Sequence, residues 1–398
     1  MKAMSQYFYM RPGFERFQLE PEANRKIVIG ERDRRFRDDL LNAIEEGSYG
    51  LEGYTAVIYG DYGRGKTHEA HNIMYEVQER KLPVQVVYVK CHEFKAKEPF
   101  SSVFTQLLLQ IGVESIRRVA NEYHLRAENH QVPPLREVLG SDELAAAFQG
   151  LTLANLDLVR QTLRWLGGEK GIDTEKIAKG LSPQLTVSRD FAAVIKGLAH
   201  MIKEVDKKVL IFLIDEAEQF KQVKHPDTYW SWVGCIRALT ETLAVGYVFY
   251  VGANSRDDLP ELFLWDEIRT RIGAQNYRDL LNPGPDELRN WVKELFHTLI
   301  RKGPVPLPHR KALAPGALDE TVPSELKALT TGNPAALESY PFTPEALDEF
   351  INQCMSETLA NRPREVLKRI QSAAKRTMRH DKPQIDTDIL AELQSDII

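Results

Sequence analysis

The sequence predicts an α/β fold, a parallel sheet with helices on both faces, followed by an all-helical C-terminal region. Three features of the pattern predict it. The apolar run Thr55-Ala-Val-Ile-Tyr59 leads into a glycine-rich turn and then into Thr67–Arg80, a stretch with few helix breakers, which is the order strand, loop, helix. Further β-rich runs at Val84–Val89, Val209–Ile214 and Tyr247–Val251, with a weaker one near Gln275–Leu280, are separated by helical stretches, as parallel pairing requires. After Asn282-Pro-Gly-Pro285 the pattern is helical.

Taken in order, residues 1–20 read as an N-terminal extension and residues 21–283 as the α/β core. Between the second strand and Val209, Pro99–Gly112 and Ser141–Gly168 carry apolar residues at helical spacing, interrupted at Val132-Pro-Pro-Leu135, so about 98–205 reads as a helical insertion. The run Val209-Leu-Ile-Phe-Leu-Ile214 has no polar alternation and fits a central strand buried on both faces. Asp286–Arg301 reads as a helix, Pro304–Pro308 as a linker and Thr343–Ile398 as several helices, which makes 284–398 a helical lid domain.

Composition narrows the function classes. Over 398 residues, 43% are hydrophobic and 27% charged, close to ordinary globular usage, which excludes a disordered or collagenous chain. A net charge of -5 argues against coating nucleic acid by bulk charge, so any such surface must be local. Cys91, Cys235 and Cys354 lie far apart, with neither zinc-site spacing nor an even count, and read as reduced thiols. No signal-peptide pattern opens the chain, and the longest apolar run falls far short of the ~20 residues that span a bilayer. A cytoplasmic location, with no membrane partner, is the expectation.

Gly60-Asp-Tyr-Gly-Arg-Gly65-Lys66-Thr67 fits G-x-x-x-x-G-K-[ST] where that spacing has physical meaning, between a strand and a helix. The glycines let successive N–H groups turn inward around phosphate oxygens, and the helix N-terminus adds partial positive charge. Lys66 would reach the β- and γ-phosphates, and the Thr67 hydroxyl would ligate Mg²⁺. The nucleotide-binding set is Gly60, Asp61, Tyr62, Gly63, Arg64, Gly65, Lys66, Thr67 and His68. Asp215-Glu216 ends the apolar run at 209–214, at the sheet edge where α/β folds bind ligands. Asp215 would hold Mg²⁺ and Glu216 would polarise an attacking water, with Glu218 an alternative base.

In these motifs and their order the sequence resembles the AAA+ ATPases, in particular the origin-recognition and replication-initiator-like branch. Gly60–Thr67 matches Walker A and Ile214-Asp215-Glu216 matches Walker B. The resemblance implies ATP and Mg²⁺ as cofactors and assigns further roles. Ile29-Gly30 is similar to the segment that lines the adenine pocket. Asn254 falls where sensor 1 orients the nucleophilic water. Arg271, with Arg269 the alternative, is similar to the arginine finger that acts in trans in a homo-oligomer. Arg364, in Asn361-Arg362-Pro363-Arg364, is similar to sensor 2 and would touch the γ-phosphate. Two departures stand out: Lys66 and Asp215 are 149 positions apart, and no winged-helix domain is expected after the lid. Leu163-Arg-Trp-Leu-Gly-Gly-Glu169 is similar to a stretch of initiator-like ATPases from phage-defence islands, including the BREX type.

The late helices carry the densest positive charge, with Lys368, Arg369, Lys375, Arg376 and Arg379, which is the expected DNA surface. Tyr229-Trp230-Ser-Trp232 is an aromatic cluster expected to pack in the core or between subunits. The expected function is ATP binding and hydrolysis with ATP-linked oligomerisation, acting on DNA or a DNA-bound partner protein in an antiviral-defence or mobile-element system. The alternative is a nucleotide-dependent signalling switch with slow turnover and a protein output. A P-loop kinase is disfavoured for lack of an acceptor site.

Overall fold

The computed structural model describes residues 3–11, 13–91, 99–186, 188–222, 233–234, 236–237, 244–300, 323–329, 334–357 and 361–395. The aromatic cluster at 229–232, Cys235 and the expected linker at 304–308 lie outside them. By contact the chain forms two compact units, and neither is continuous in sequence. One comprises Asp39–Gly60 and Ile73–Leu280; the other comprises Met1–Asp38, Asp61–Asn72 and Leu281–Ile398. This division differs from boundaries drawn at 20 and 283 along the chain.

The first unit is built on a five-stranded sheet of β1 (Thr55–Gly60), β2 (Val84–Lys90), β3 (Val209–Asp215), β4 (Val245–Gly252) and β5 (Tyr277–Asp279). Every pairing is parallel and the order is β2-β3-β4-β1-β5. Register sets one row of side chains across all five strands, Val89, Ile214, Phe249, Val57 and Tyr277, on one face. That row belongs to a core shared with Leu107, Val119, Phe148, Trp165 and Ile195. Those five come from the helices Pro99–Ile111, Val113–Glu128, Asp142–Gly150, Leu156–Leu166 and Ser188–Asp206. The inserted helices therefore complete the sheet's own core. Ala56, Ile58, Ile211, Leu213, Val248 and Tyr250 point the other way along their strands and are also buried, so both faces are covered. The predicted α/β class with a parallel sheet is the observed one.

The stretch expected as helical over 141–168 is two helices with separate caps. Ser141 Oγ accepts from Leu144 N at 3.2 Å, and Asn155 Oδ1 accepts from Asp157 N at 2.9 Å. Leu163, Trp165 and Leu166 are buried in the sheet-side core, and a Cβ on Gly167 would fall 2.7 Å from the Thr105 backbone. The Leu163–Glu169 stretch is therefore packed interior and helix stop.

The second unit joins the helices Pro285–Leu299, Ser324–Leu329, Pro334–Ser339, Pro344–Ser356, Pro363–Arg379 and Thr387–Ser395. Proline at the first position sets several starts, where its missing N–H costs nothing. Phe8, Met10 and Phe17 from the N-terminal segment are buried in the same core as Phe296, Phe342 and Ile370. Among the described residues no helix is long and apolar enough to cross a membrane.

Candidate functional site

The Gly60–Thr67 loop follows β1 and opens the helix Lys66–Glu79. Gly63 and Gly65 sit at φ +83° and +107°, which only glycine adopts without strain. A Cβ on Gly63 would lie 2.9 Å from Arg364 Cβ, while nothing lies within 4 Å of one on Gly65, so the space above Gly65 is open. Lys66 is buried and its Nζ donates to Asp61 O at 2.9 Å, with the exposed Tyr62 ring 5.5 Å away. Thr67 follows in the first helical turn.

Residues far apart in sequence meet this loop within the second unit. Arg364 N donates to Gly63 O at 3.2 Å, which places residues 361–364 on the loop. The Asp61 carboxylate accepts from Arg362 and from Asn282 Nδ2. Arg64 does not point outward: its guanidinium is bidentate to Asp33 at 3.1 and 2.5 Å and donates to Leu281 O. His68 Nε2 lies 2.6 Å from Ile27 O, and Asn72 Nδ2 donates to Arg25 O, so the 25–30 segment is tied to the loop helix. Burial lowers the His68 pKa, though its hydrogen bond to Ile27 works in the opposite direction. Ile29 is buried among the helices of this unit. Gly30 N donates to Glu294 Oε2 at 3.0 Å.

Beneath the loop helix lies a group of charges that the sequence did not reveal. Glu69 is buried and its Oε1 has no hydrogen-bond partner among the described residues. Burial pushes its carboxyl up to about 8; Asp33 and Asp38 push the same way, and Arg37 and Arg64 oppose them. Because the folded value lies above the ordinary 4.5, the folded state binds this proton more tightly. The stability it contributes is complete below about pH 4.5 and is lost as pH rises through about 8. Glu69→Gln should remove that part of the pH dependence, making the variant the more stable at pH 8.5 with a gap that narrows towards pH 5. A tenfold difference in proton affinity between the folded and unfolded states corresponds to about 1.4 kcal/mol. Thermal unfolding of both proteins across that range checks this, and parallel curves would refute it.

In the first unit, Asp215 ends β3 with its carboxylate buried. Tyr88 Oη donates to Oδ2 at 2.9 Å and Glu216 N donates to Oδ1 at 2.9 Å. Burial and the adjacent Asp215 push the Tyr88 phenol up, which keeps it a donor. Glu216 sits at φ +56°, a left-handed position uncommon for a side-chain-bearing residue. Its Oε1 pairs with Lys90 Nζ at 2.9 Å, an ion pair set by the register that puts Lys90 beside Asp215. The hydrogen bond to Glu216 raises the Lys90 pKa. Glu218, the alternative base, accepts from Gly252 N at 2.7 Å and is committed to the end of β4.

Asn254 follows β4 and is exposed. Arg269 and Arg271 lie on the short helix Asp266–Ile272. Arg269 pairs with Asp266 at 2.6 Å, and Arg271 Nη1 donates to Glu267 O at 2.8 Å. On Pro363–Arg379 the expected basic surface is partly neutralised. Arg369 pairs with Glu357, Arg376 with Glu392 and Lys368 with Glu365. The Arg369 hydrogen bond holds Glu357 below the ordinary carboxylate value. Lys368, Lys375 and Arg379 are exposed and lie along one helix face.

No protein-family model and no curated protein matches the chain. Among solved structures, the ORC2 protein of Aeropyrum pernix, described as ADPNP–ADP complexes, is 12% identical, with a TM-score of 0.48 over 92% of this chain and 68% of that one. Cdc6p of Pyrobaculum aerophilum is 10% identical, with a TM-score of 0.46 over 96% and 68%. The Aeropyrum pernix ORC1 protein in complex with DNA is 13% identical, with a TM-score of 0.44 over 94% and 67%. These superpositions are loose, and the assignment of the site rests on the chain's own residues.

Proposed function

We propose that the chain is an AAA+ ATPase of the initiator-like kind that binds and hydrolyses ATP. The observation that carries this is the meeting of the Gly60–Thr67 loop with residues 361–364, two motif segments about 300 positions apart joined through Arg364 N and Gly63 O. A chance glycine loop has no reason to collect the sensor-like arginine segment.

In this reading the loop N–H groups and Lys66 hold the triphosphate, and Arg364 touches the γ-phosphate. Glu216 polarises the attacking water and Asn254 orients it. The open space at Gly65 and the helix start at Lys66 fit a phosphate chain. The Thr67 hydroxyl and the Asp215 carboxylate are oxygen donors of the type Mg²⁺ takes, and the ion would neutralise charge on the phosphates. Among the described residues no group of three or more His, Cys, Asp or Glu forms a metal cage, which suits an ion held largely by phosphate and water. Hydrolysis is in-line, with no covalent intermediate.

ATP would drive homo-oligomerisation, and the partner would be DNA or a DNA-bound protein of a defence or mobile-element system. DNA binding would use the exposed Lys368, Lys375 and Arg379 stripe, where the pair of Lys368 with Glu365 is open to solvent, because Arg369 and Arg376 are held in less exposed pairs by Glu357 and Glu392. Reversing the three stripe residues to Glu should abolish an ATP-dependent electrophoretic shift. For every DNA phosphate that a variant no longer neutralises, the log–log salt slope should flatten by about 0.9. Reversing Arg369 and Arg376 instead should weaken binding less. A shift that survives the triple reversal would remove DNA from this face, and the absence of any shift with any nucleotide would favour the signalling-switch reading.

A further inference from the structure

We propose that Arg362 sets the affinity of the Gly60–Thr67 loop for phosphorylated nucleotide by neutralising Asp61, a carboxylate carried by the loop itself. The inference rests on the reading of that loop as the phosphate site. Asp61 is the residue after Gly60, and its side chain and that of Arg362 are only 12% and 11% exposed. The contact is two-pronged: Arg362 Nε lies 3.1 Å from Oδ2, and Nη2 lies 2.9 Å from Oδ1. Oδ2 also accepts from Asn282 Nδ2 at 2.6 Å, so both carboxylate oxygens are occupied. The carbonyl of the same residue accepts from Lys66 Nζ at 2.9 Å. Asp61 therefore holds the phosphate lysine by its main chain and the start of the Pro363–Arg379 helix by its side chain.

A negative charge in a phosphate loop opposes its own ligand. Buried as it is, its field is screened less than a surface charge's would be. Paired with a guanidinium, the carboxylate becomes part of a neutral unit and its oxygens are turned to Arg362. Arg362 thus acts on the nucleotide through Asp61, as a positioning residue, whereas Arg364 two residues on is the one read as touching phosphate. Movement of the 361–364 segment away from the loop would leave the Asp61 charge uncompensated, with Asn282 its remaining named partner, and weaken nucleotide binding. The helical segment would in this way report on, and set, nucleotide occupancy.

The test is a double-mutant cycle on the full chain, reading equilibrium binding of fluorescent ATP and ADP analogues. Arg362→Gln should weaken ATP binding by about 10- to 30-fold, within the coupling range of contacting charged groups. It should weaken ADP binding less, because the opposed charge is smaller. In an Asp61→Asn background, where the amide can still accept from Asn282, the same Arg362→Gln change should cost less than about 3-fold. Arg362→Lys should show an intermediate loss that also disappears with Asp61→Asn, and it carries the cycle if Arg362→Gln fails to fold. A loss of equal size in both backgrounds, or equal for ATP and ADP, would overturn the proposal and leave Arg362 as a direct phosphate contact or a structural residue. Wild-type protein that binds neither nucleotide would overturn the phosphate-site reading itself, and this inference with it.

Discussion

Lys66→Ala should abolish nucleotide binding and hydrolysis together, whereas Glu216→Gln should keep ATP and lose turnover by about 10²-fold or more, the scale of a positioned base. The difference follows from where each group sits. Lys66 Nζ lies against the Asp61 carbonyl of its own loop, so in the proposed reading its charge serves the phosphates. Glu216 stands at the end of β3, held by Lys90, and the carboxylates beside it are engaged elsewhere. Asp215 takes Tyr88 Oη and the Glu216 N–H, and Glu218 takes Gly252 N. Among the described residues that leaves Glu216 with a half-exposed ion pair to Lys90, an interaction worth about 0.2–1 kcal/mol that a water or ligand can displace. Binding is read by titrating a fluorescent ATP analogue and turnover by phosphate release. Unchanged turnover in Glu216→Gln would remove it as the base, and nucleotide binding that survives Lys66→Ala would remove the loop as the phosphate site.

What could be read in the sequence was local in origin. The β1–loop–helix order shows because glycine at positive φ, lysine and threonine must follow one another within eight positions. β3 shows because burial on both faces leaves an uninterrupted apolar run. What could not be read depends on tertiary register and on partners distant in the chain. Lys90 looks like the polar end of a strand until pairing sets it beside Asp215, which brings it to Glu216. Arg64 stands in the loop like a phosphate ligand, yet its planar fork finds Asp33 on the Glu31–Tyr49 helix. The basic helix reads as one positive face because Glu357 and Glu392, which neutralise two of its arginines, lie on either side of it in sequence. The inserted helices carry apolar faces whose spacing says that they pack, without saying against what; they pack against the sheet's own row of side chains. The same limit hid the grouping of residues 1–38 and 61–72 with the C-terminal helices, because a discontinuous unit leaves no composition shift to mark its edges.

Mixing Glu216→Gln subunits with Arg271→Ala subunits should recover hydrolysis that neither has alone. The expectation follows from the proposed order of motifs, in which Arg271 comes after sensor 1 and serves the nucleotide of a neighbouring subunit. Arg271 lies near the end of the Asp266–Ile272 helix, where it contacts the Glu267 carbonyl, whereas Arg269 is paired with the Asp266 carboxylate. An arginine supplied in trans can contribute roughly 10³ to 10⁵ in rate by stabilising charge on the γ-phosphate. Turnover per subunit should therefore rise with protein concentration, and ATP should favour the assembled state by its differential affinity for it. In the mixture, some interfaces join an intact Glu216 to an intact Arg271 from the neighbour, and those interfaces hydrolyse. Light scattering establishes that the two variants co-assemble, and phosphate release measures recovery. Co-assembled subunits no more active than the separate variants would mean that no site is shared across the interface, and Arg271 would then be a surface residue of its own subunit.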